Sequence, residues 1–147
     1  MKISIGSDHG GFALKEKIVS YLKERGHSVF DEGCFKAESV HYPVYAKAVC
    51  EDVVNNISDK GILICTSGFG MCICANKYNG LRAATVRSAE EAFLCRSHND
   101  CNVLCLGAKF TSVEDAKEIV DVFLETPFSE GERHKIRLGM IKELEDK

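Results

Sequence analysis

An apolar run, Gly61–Ile62–Leu63–Ile64–Cys65, ends in a thiol and passes at once into Thr66, Ser67, Gly68, Phe69 and Gly70. A thiolate is a base or nucleophile only where its surroundings favour the charged form. A helix N-terminus does this, because its unpaired N–H groups and dipole favour negative charge. Cys65 closes a strand and precedes such a helix, so its position suits activation; it equally suits a small hydrophobe buried at a strand end. Gly68 and Gly70 permit backbone conformations that turn several N–H groups toward one point, a nest for a phosphate or an oxyanion. A tight strand–helix turn would use the same glycines. The G-x-x-x-x-G-K-[ST] pattern of a nucleotide-phosphate loop is absent, and Gly6 and Gly10 in "GSDHGG" have the wrong spacing for a dinucleotide fingerprint.

Other candidates stand around this one. Asp8 and His9 follow the first strand and can hold hydroxyls or phosphate, or Asp8 can simply cap the next helix. His98 and Asn99 close a helix, where a protonated imidazole is favoured and can serve only as a cap. Arg133 and Arg137 are four residues apart on one helical face, a pair that suits phosphate or a plain solvated surface. Lys109 follows the last strand. Taken together these residues offer a base, oxyanion donors, a histidine acid/base and a phosphate clamp. That set fits proton abstraction beside the carbonyl of a small phosphorylated sugar.

The elements that must position them alternate along the chain. Strands are expected over 2–6, 27–33, 61–65, 81–86 and 102–107. Helices are expected over 12–26, 43–56 behind Pro43, 88–98 behind Ser88, and 112–126 behind Ser112. A further helix starts in the glycine-bearing turn and carries 71–78; residues 34–42 form a loop. A last amphipathic segment, 130–145, carries the basic cluster in its first turns. Five short strands separated by helices give one α/β domain, residues 1–147, with a parallel sheet covered on both faces. Ligands of such sheets bind beyond the carboxyl ends of the strands. Asp8–His9, Cys65–Ser67 and Lys109 all fall there.

At 147 residues the chain is long enough for a core of its own. A net charge of −3 argues against general nucleic-acid binding, no apolar run approaches a membrane span, and the N-terminus lacks a signal-peptide pattern. A cytoplasmic protein is expected. Its eight cysteines are then read as reduced thiols, most of them small core hydrophobes. Cys95-x-x-His98-x-x-Cys101 resembles metal-ligand spacing, but no second pair is spaced to complete four ligands, and no metal is expected.

Several segments in order, "GSDHGG", "VHYP", "GILIC", "GFGMCICANK", "GLRAA", "SHNDCNVLCLG" and "GERHKIR", resemble the type B ribose-5-phosphate isomerase family, which includes galactose-6-phosphate isomerase subunits. The resemblance implies a three-layer α/β/α, Rossmann-like domain with a five-stranded parallel sheet and a C-terminal helix. It implies an aldose–ketose isomerase that interconverts ribose 5-phosphate and ribulose 5-phosphate through a cis-enediolate, with no metal or organic cofactor. By position, Cys65 matches the base, and Ser67, Gly68, Gly70 and Met71 match the loop that stabilises the enediolate. His98 matches the histidine that opens the ring, Asp8 and Asn99 hold hydroxyls, and Tyr42 lines the sugar. His9, Arg133 and Arg137 match phosphate positions. A homodimer or dimer of dimers with shared sites is implied.

Three departures stand out. Thr66 replaces the family's usual glycine beside the base, Lys109 stands where arginine is common, and Ser67 keeps a hydroxyl where threonine is usual; Met71, apolar where a second branch has a glutamate base, favours the thiol branch. The first two keep allose 6-phosphate, or galactose 6-phosphate with a partner subunit, open as substrates. A non-catalytic sugar-phosphate-binding domain is the reading from another class, against which Cys65, His98 and Asp8 speak.

Overall fold

Five apolar runs become one all-parallel sheet: β1 (Lys2–Ser7), β2 (Ser28–Asp31), β3 (Lys60–Cys65), β4 (Ala83–Thr85) and β5 (Val103–Gly107), in the order β2-β1-β3-β5-β4. The computed structural model describes residues 1–145. β1, β3 and β5 are buried almost throughout and lack polar alternation, as strands covered on both faces require. β2 and β4 are shorter than the sequence predicts, four and three residues against 27–33 and 81–86. Each lies at a sheet edge and has a ladder on one side only.

Two apolar layers sandwich the sheet. On one face α1 (Phe12–Glu24), α4 (Ala89–Asn99) and α5 (Val113–Glu125) pack Ile18, Leu22, Ile119 and Phe123 against Ile3, Ile62 and Leu104. On the other, α2 (Tyr42–Val54) and α3 (Phe69–Ala75) pack Ala46, Val49 and Met71 against Leu63, Val103 and Cys105. Fully burying one such aliphatic side chain stabilises by about 2 kcal/mol. Ser88 and Ser112 cap α4 and α5, accepting the Glu91 and Asp115 N–H groups at 3.1 Å, as expected from sequence. Lys15, fully buried on α1, bonds both carboxylate oxygens of Asp31 at 2.8 and 2.9 Å and so fixes α1 to the end of β2.

The last helix, α6 (Glu132–Glu145), behaves differently: none of its side chains is buried. It touches the body at its two ends. Near its start His134 stacks on His98; near its end Glu145 accepts the Gly80 N–H at 2.7 Å. Between these anchors a groove of about 790 Å³ separates it from β4 and α4, lined on the helix side by Leu138, Ile141 and Leu144. The expected amphipathic pattern is absent, because charged and apolar side chains are interleaved around the helix. Arg133, Ile136, Arg137 and Met140 recur at three- and four-residue spacing on one exposed face, with Leu144 between that face and the groove. Among the described residues no helix is long and apolar enough to cross a membrane.

Candidate active site

The strand order reverses between β1 and β3, whose following loops feed α1 on one face and α3 on the other. A crevice opens at such a point. Into it come the residues after β1 and β3. Asp8 is buried; its N–H reaches the Ile64 carbonyl at 3.3 Å and its carboxylate accepts the Gly11 N–H at 3.1 Å. His9 is exposed, with Nδ1 accepting the Val40 N–H at 3.2 Å. Thr66 is exposed, and its Oγ1 occupies the space that a Cβ on Gly10 would need.

Cys65 ends β3 with its side chain 5% exposed. Its sulfur accepts the Gly68 N–H at 3.1 Å, a bond that strengthens when the sulfur carries charge. Gly68 makes this possible by adopting φ +84° and ψ −15°, a left-handed conformation that side chains disfavour. It is also the N-cap of α3, so the helix begins at Phe69 inside the glycine-bearing turn, as the sequence predicts, and ends at Ala75, short of the expected Tyr78. Ser67 Oγ accepts the Phe69 N–H at 3.2 Å. Tyr42 opens α2 with its ring against Gly70, where a Cβ would lie 2.5 Å from two ring carbons. Lys109 donates its N–H to the Thr66 carbonyl at 3.0 Å, which ties the β5–α5 turn to the same rim. Asp8, His9, Tyr42, Cys65, Ser67, Gly68, Gly70 and Lys109 thus share one end of the sheet. Met71 is there only through its backbone: its side chain is fully buried in the core between α3 and the sheet.

His98, Asn99, Arg133 and Arg137 are elsewhere. α4 ends at Asn99 and β5 starts at Val103, whose register partner is Gly61, at the beginning of β3. Cys65 pairs with Gly107 at the far end. Four residues of strand separate the two levels, about 13 Å at 3.3 Å per residue. α4 also lies on the opposite face of the sheet from α3. One chain therefore does not bring His98 to Cys65.

At this second location the rings of His98 and His134 stack, with centroids 4.4 Å apart and planes at 16°. Desolvation holds the His134 imidazole below its usual value, and His98, Arg133 and Arg137 push the same way. Arg133 and Arg137 place positive charge beside this ring pair, an arrangement that an anion relieves. His134 has no assigned role in the sequence reading; adjacency to two arginines was its only signal. Of the residues with metal-like spacing, Cys95 and Cys101 are buried in the core, Cys95 Sγ donating to the Ala92 carbonyl at 3.3 Å, while His98 stacks on α6. Among the described residues no three His, Cys, Asp or Glu side chains converge as a metal site would require.

The remaining cysteines differ sharply in environment. Cys72, half-buried on α3, is pulled from 9.0 to about 6, first by a hydrogen bond from Cys105, with Thr85 and Asn76 as further donors. Burial pushes Cys50 up to about 12. Cys105, fully buried, is raised well above its ordinary value by its bond to Cys72 and by desolvation.

The sequence matches the profile of the Ribose/Galactose Isomerase family over residues 3–141. It is 44% identical to ribose-5-phosphate isomerase B of Escherichia coli (strain K12), over 99% of this chain and 97% of that protein. It is 37% identical to a galactose-6-phosphate isomerase subunit of Clostridium acetobutylicum, over 98% of this chain and 83% of that protein. The fold superposes on ribose-5-phosphate isomerase B of Clostridium thermocellum with a TM-score of 0.97 at 45% identity, covering 99% of this chain and 98% of the other. The Mycoplasma genitalium enzyme, solved with bound ribulose-5-phosphate, gives a TM-score of 0.93 at 40% identity, covering 99% of this chain and 97% of the other.

Proposed function

The chain belongs to the ribose/galactose isomerase family and is a sugar phosphate isomerase, and from that premise we propose that it interconverts ribose 5-phosphate and ribulose 5-phosphate. The observation that carries the chemistry is the Gly68 N–H donated to the Cys65 sulfur at the strand end. Cys65 takes the C2 proton of the open-chain aldose, electrons move into the carbonyl, and an enediolate forms. The proton then returns to C1 while a proton moves between the two oxygens, which leaves a ketone at C2. Ser67 and the free N–H groups of the loop through Gly70 and Met71 face the developing oxyanion. Donors fixed before reaction cost no reorganisation when the charge appears.

His98 opens the sugar ring, Asp8 and Asn99 hold hydroxyls, Tyr42 closes the sugar side, and His9, Lys109, Arg133 and Arg137 take the phosphate. Because one chain keeps these groups at opposite ends of the sheet, the working unit is a two-fold dimer in which each site borrows from both chains. The outward face of α6 supports this: covering Ile136 and Met140 carries Arg133 and Arg137 into the covering surface. The residues present complete this reaction without a metal or organic cofactor.

The test is isomerisation of ribose 5-phosphate by metal-stripped protein, with Cys65→Ala alongside. Loss of a general base slows turnover by about 100- to 10,000-fold. Full activity in Cys65→Ala would sink the assignment of the base. A six-carbon substrate is the second reading, favoured by the likeness to a galactose-6-phosphate isomerase subunit and by Thr66 standing exposed beside the base. Activity on allose 6-phosphate alone would select it.

A further inference from the structure

We infer that Thr85, the last residue of β4, is a positioning residue for the Cys65 thiolate and acts through the Gly68 peptide. The inference rests on the proposed role of Cys65 as base and names what holds that base's hydrogen-bond donor in place. Glycine adopts left- and right-handed conformations with similar ease, so the φ of +84° at Gly68 is not fixed by Gly68 itself. The Gly68 N–H and carbonyl belong to successive peptide units joined through this residue's φ and ψ, so a change in φ would swing the N–H away from the sulfur unless the carbonyl is held. Something outside the loop must hold it.

Thr85 touches Gly68 twice. Its Oγ1 donates to the Gly68 carbonyl at 3.1 Å, and its Cγ2 lies 2.9 Å from where a Cβ on Gly68 would stand. The same carbonyl accepts the Cys72 N–H at 3.1 Å, the first hydrogen bond of α3. Gly68 is therefore gripped at its carbonyl by the helix and by β4, while its N–H points at Cys65. Thr85 is itself well placed to grip. It is in register with Cys105 in the β4–β5 ladder, and a β-branched side chain on a strand has few χ1 choices. From β5 through Thr85 to Gly68 the links join residues distant in sequence, and the last one, from Gly68 to Cys65, is local.

Three variants test this. Thr85→Val keeps the shape and the methyl groups but removes the hydroxyl; Thr85→Ser keeps the hydroxyl; Thr85→Ala removes both. The expected result for Thr85→Val is a roughly tenfold fall in kcat with KM unchanged, about what losing one well-placed donor interaction gives. Iodoacetamide labelling of Cys65, read by fragment ions that separate it from Cys72 and Cys74, slows similarly at neutral pH. Thr85→Ser restores both readouts, and Thr85→Ala behaves no better than valine. Wild-type kcat and labelling in Thr85→Val would overturn the inference. So would a serine variant as impaired as valine, or a rise in KM with kcat intact. Labelling is read without turnover, so the inference fails or stands separately from the base: a fully active Cys65→Ala refutes the base, whereas unchanged Cys65 labelling in Thr85→Val refutes the clamp.

Discussion

If each active site is built from two chains, two inactive variants should repair each other when mixed. Take Cys65→Ala and His98→Ala, each purified as a homodimer and each slowed at least about 100-fold by loss of an acid–base group. Sharing is needed if Cys65 and His98 are to act on one substrate. Cys65 and the end of α4 lie at opposite ends of β3 and β5, about 13 Å apart along the strands and on different faces of the sheet. Groups that act on one substrate must come within about 3–3.5 Å of their reacting atoms. In a two-fold mixed dimer, one site receives both alanines and the other receives Cys65 from one chain and His98 from the other. The second site is wild type.

The magnitude follows from counting. Equal amounts of the two variants, unfolded together and refolded, give half mixed dimers, each with one intact site of two. About one quarter of wild-type activity should return, far above either parent. The assay is ribulose 5-phosphate formation by the refolded mixture, with each parent refolded alone as control and differently tagged chains to prove that mixed dimers formed. Recovery no greater than the sum of the parents, with mixed dimers present, would refute the shared site. His98 would then have no part in chemistry at Cys65.

The thiols give a prediction of pH dependence. Labelling of Cys72 should rise through a midpoint near pH 6, and Cys50 should resist labelling until near pH 12, as mapped by mass spectrometry across a pH series. The same shifts act on stability with opposite signs. Cys50 is raised from 9.0 when folded, so its contribution is full below about pH 9 and is lost as pH climbs toward 12. Cys72 is lowered, so its contribution is full above about pH 9 and is lost as pH falls toward 6. Alkaline melting should therefore be less steep in Cys50→Val. Finally, Lys15→Ala should cost about 3 kcal/mol by urea titration, because Asp31 loses a buried partner; pairing it with Asp31→Asn should recover part of that loss. Equal stability of the wild type and Lys15→Ala would mean that the pair only orients α1.

The central strands were legible because burial on both faces imposes continuous apolar runs, and the caps at Ser88 and Ser112 because an oxygen must meet the first free N–H groups. The thiol loop was legible from Gly68 and Gly70. The edge strands were overextended: Leu81 and Val86 are buried without joining the β4 ladder, and Glu32 and Gly33 follow β2 as connecting backbone. Met71 was placed in the site by its position in the loop, but helical geometry turns its side chain into the core. The amphipathic pattern expected of α6 does not hold, because its charged and apolar side chains are interleaved around the helix, and sequence does not say what covers them. Thr85 was invisible for a related reason: a threonine at a strand end has ordinary β-propensity, and its partner lies 17 residues away in sequence.

The cysteine-rich core shows why only certain thiols are placed for chemistry. A sulfur is favoured as an anion where donors face it and as a thiol where apolar walls do. Donors are scarce in a sheet interior, because the ladder uses its N–H groups. They remain at strand ends and along sheet edges. Cys65 lies at a strand end and receives Gly68 N–H. Cys72 lies against the free edge of β4, where the Asn76 side chain pairs with the Ala83 N–H and carbonyl at 2.9 and 3.0 Å. The Cys72 sulfur receives the Thr85 backbone N–H and, at 3.5 Å, the Asn76 amide along the same edge. Cys50 has no such neighbour and is pushed to about 12; Cys105, inside the ladder, serves Cys72 as the donor. The composition makes the eight cysteines look interchangeable. Which of them is placed for chemistry depends on where the backbone still has an N–H to give; among the described thiols Cys65 receives one, from Gly68, at the switch in strand order.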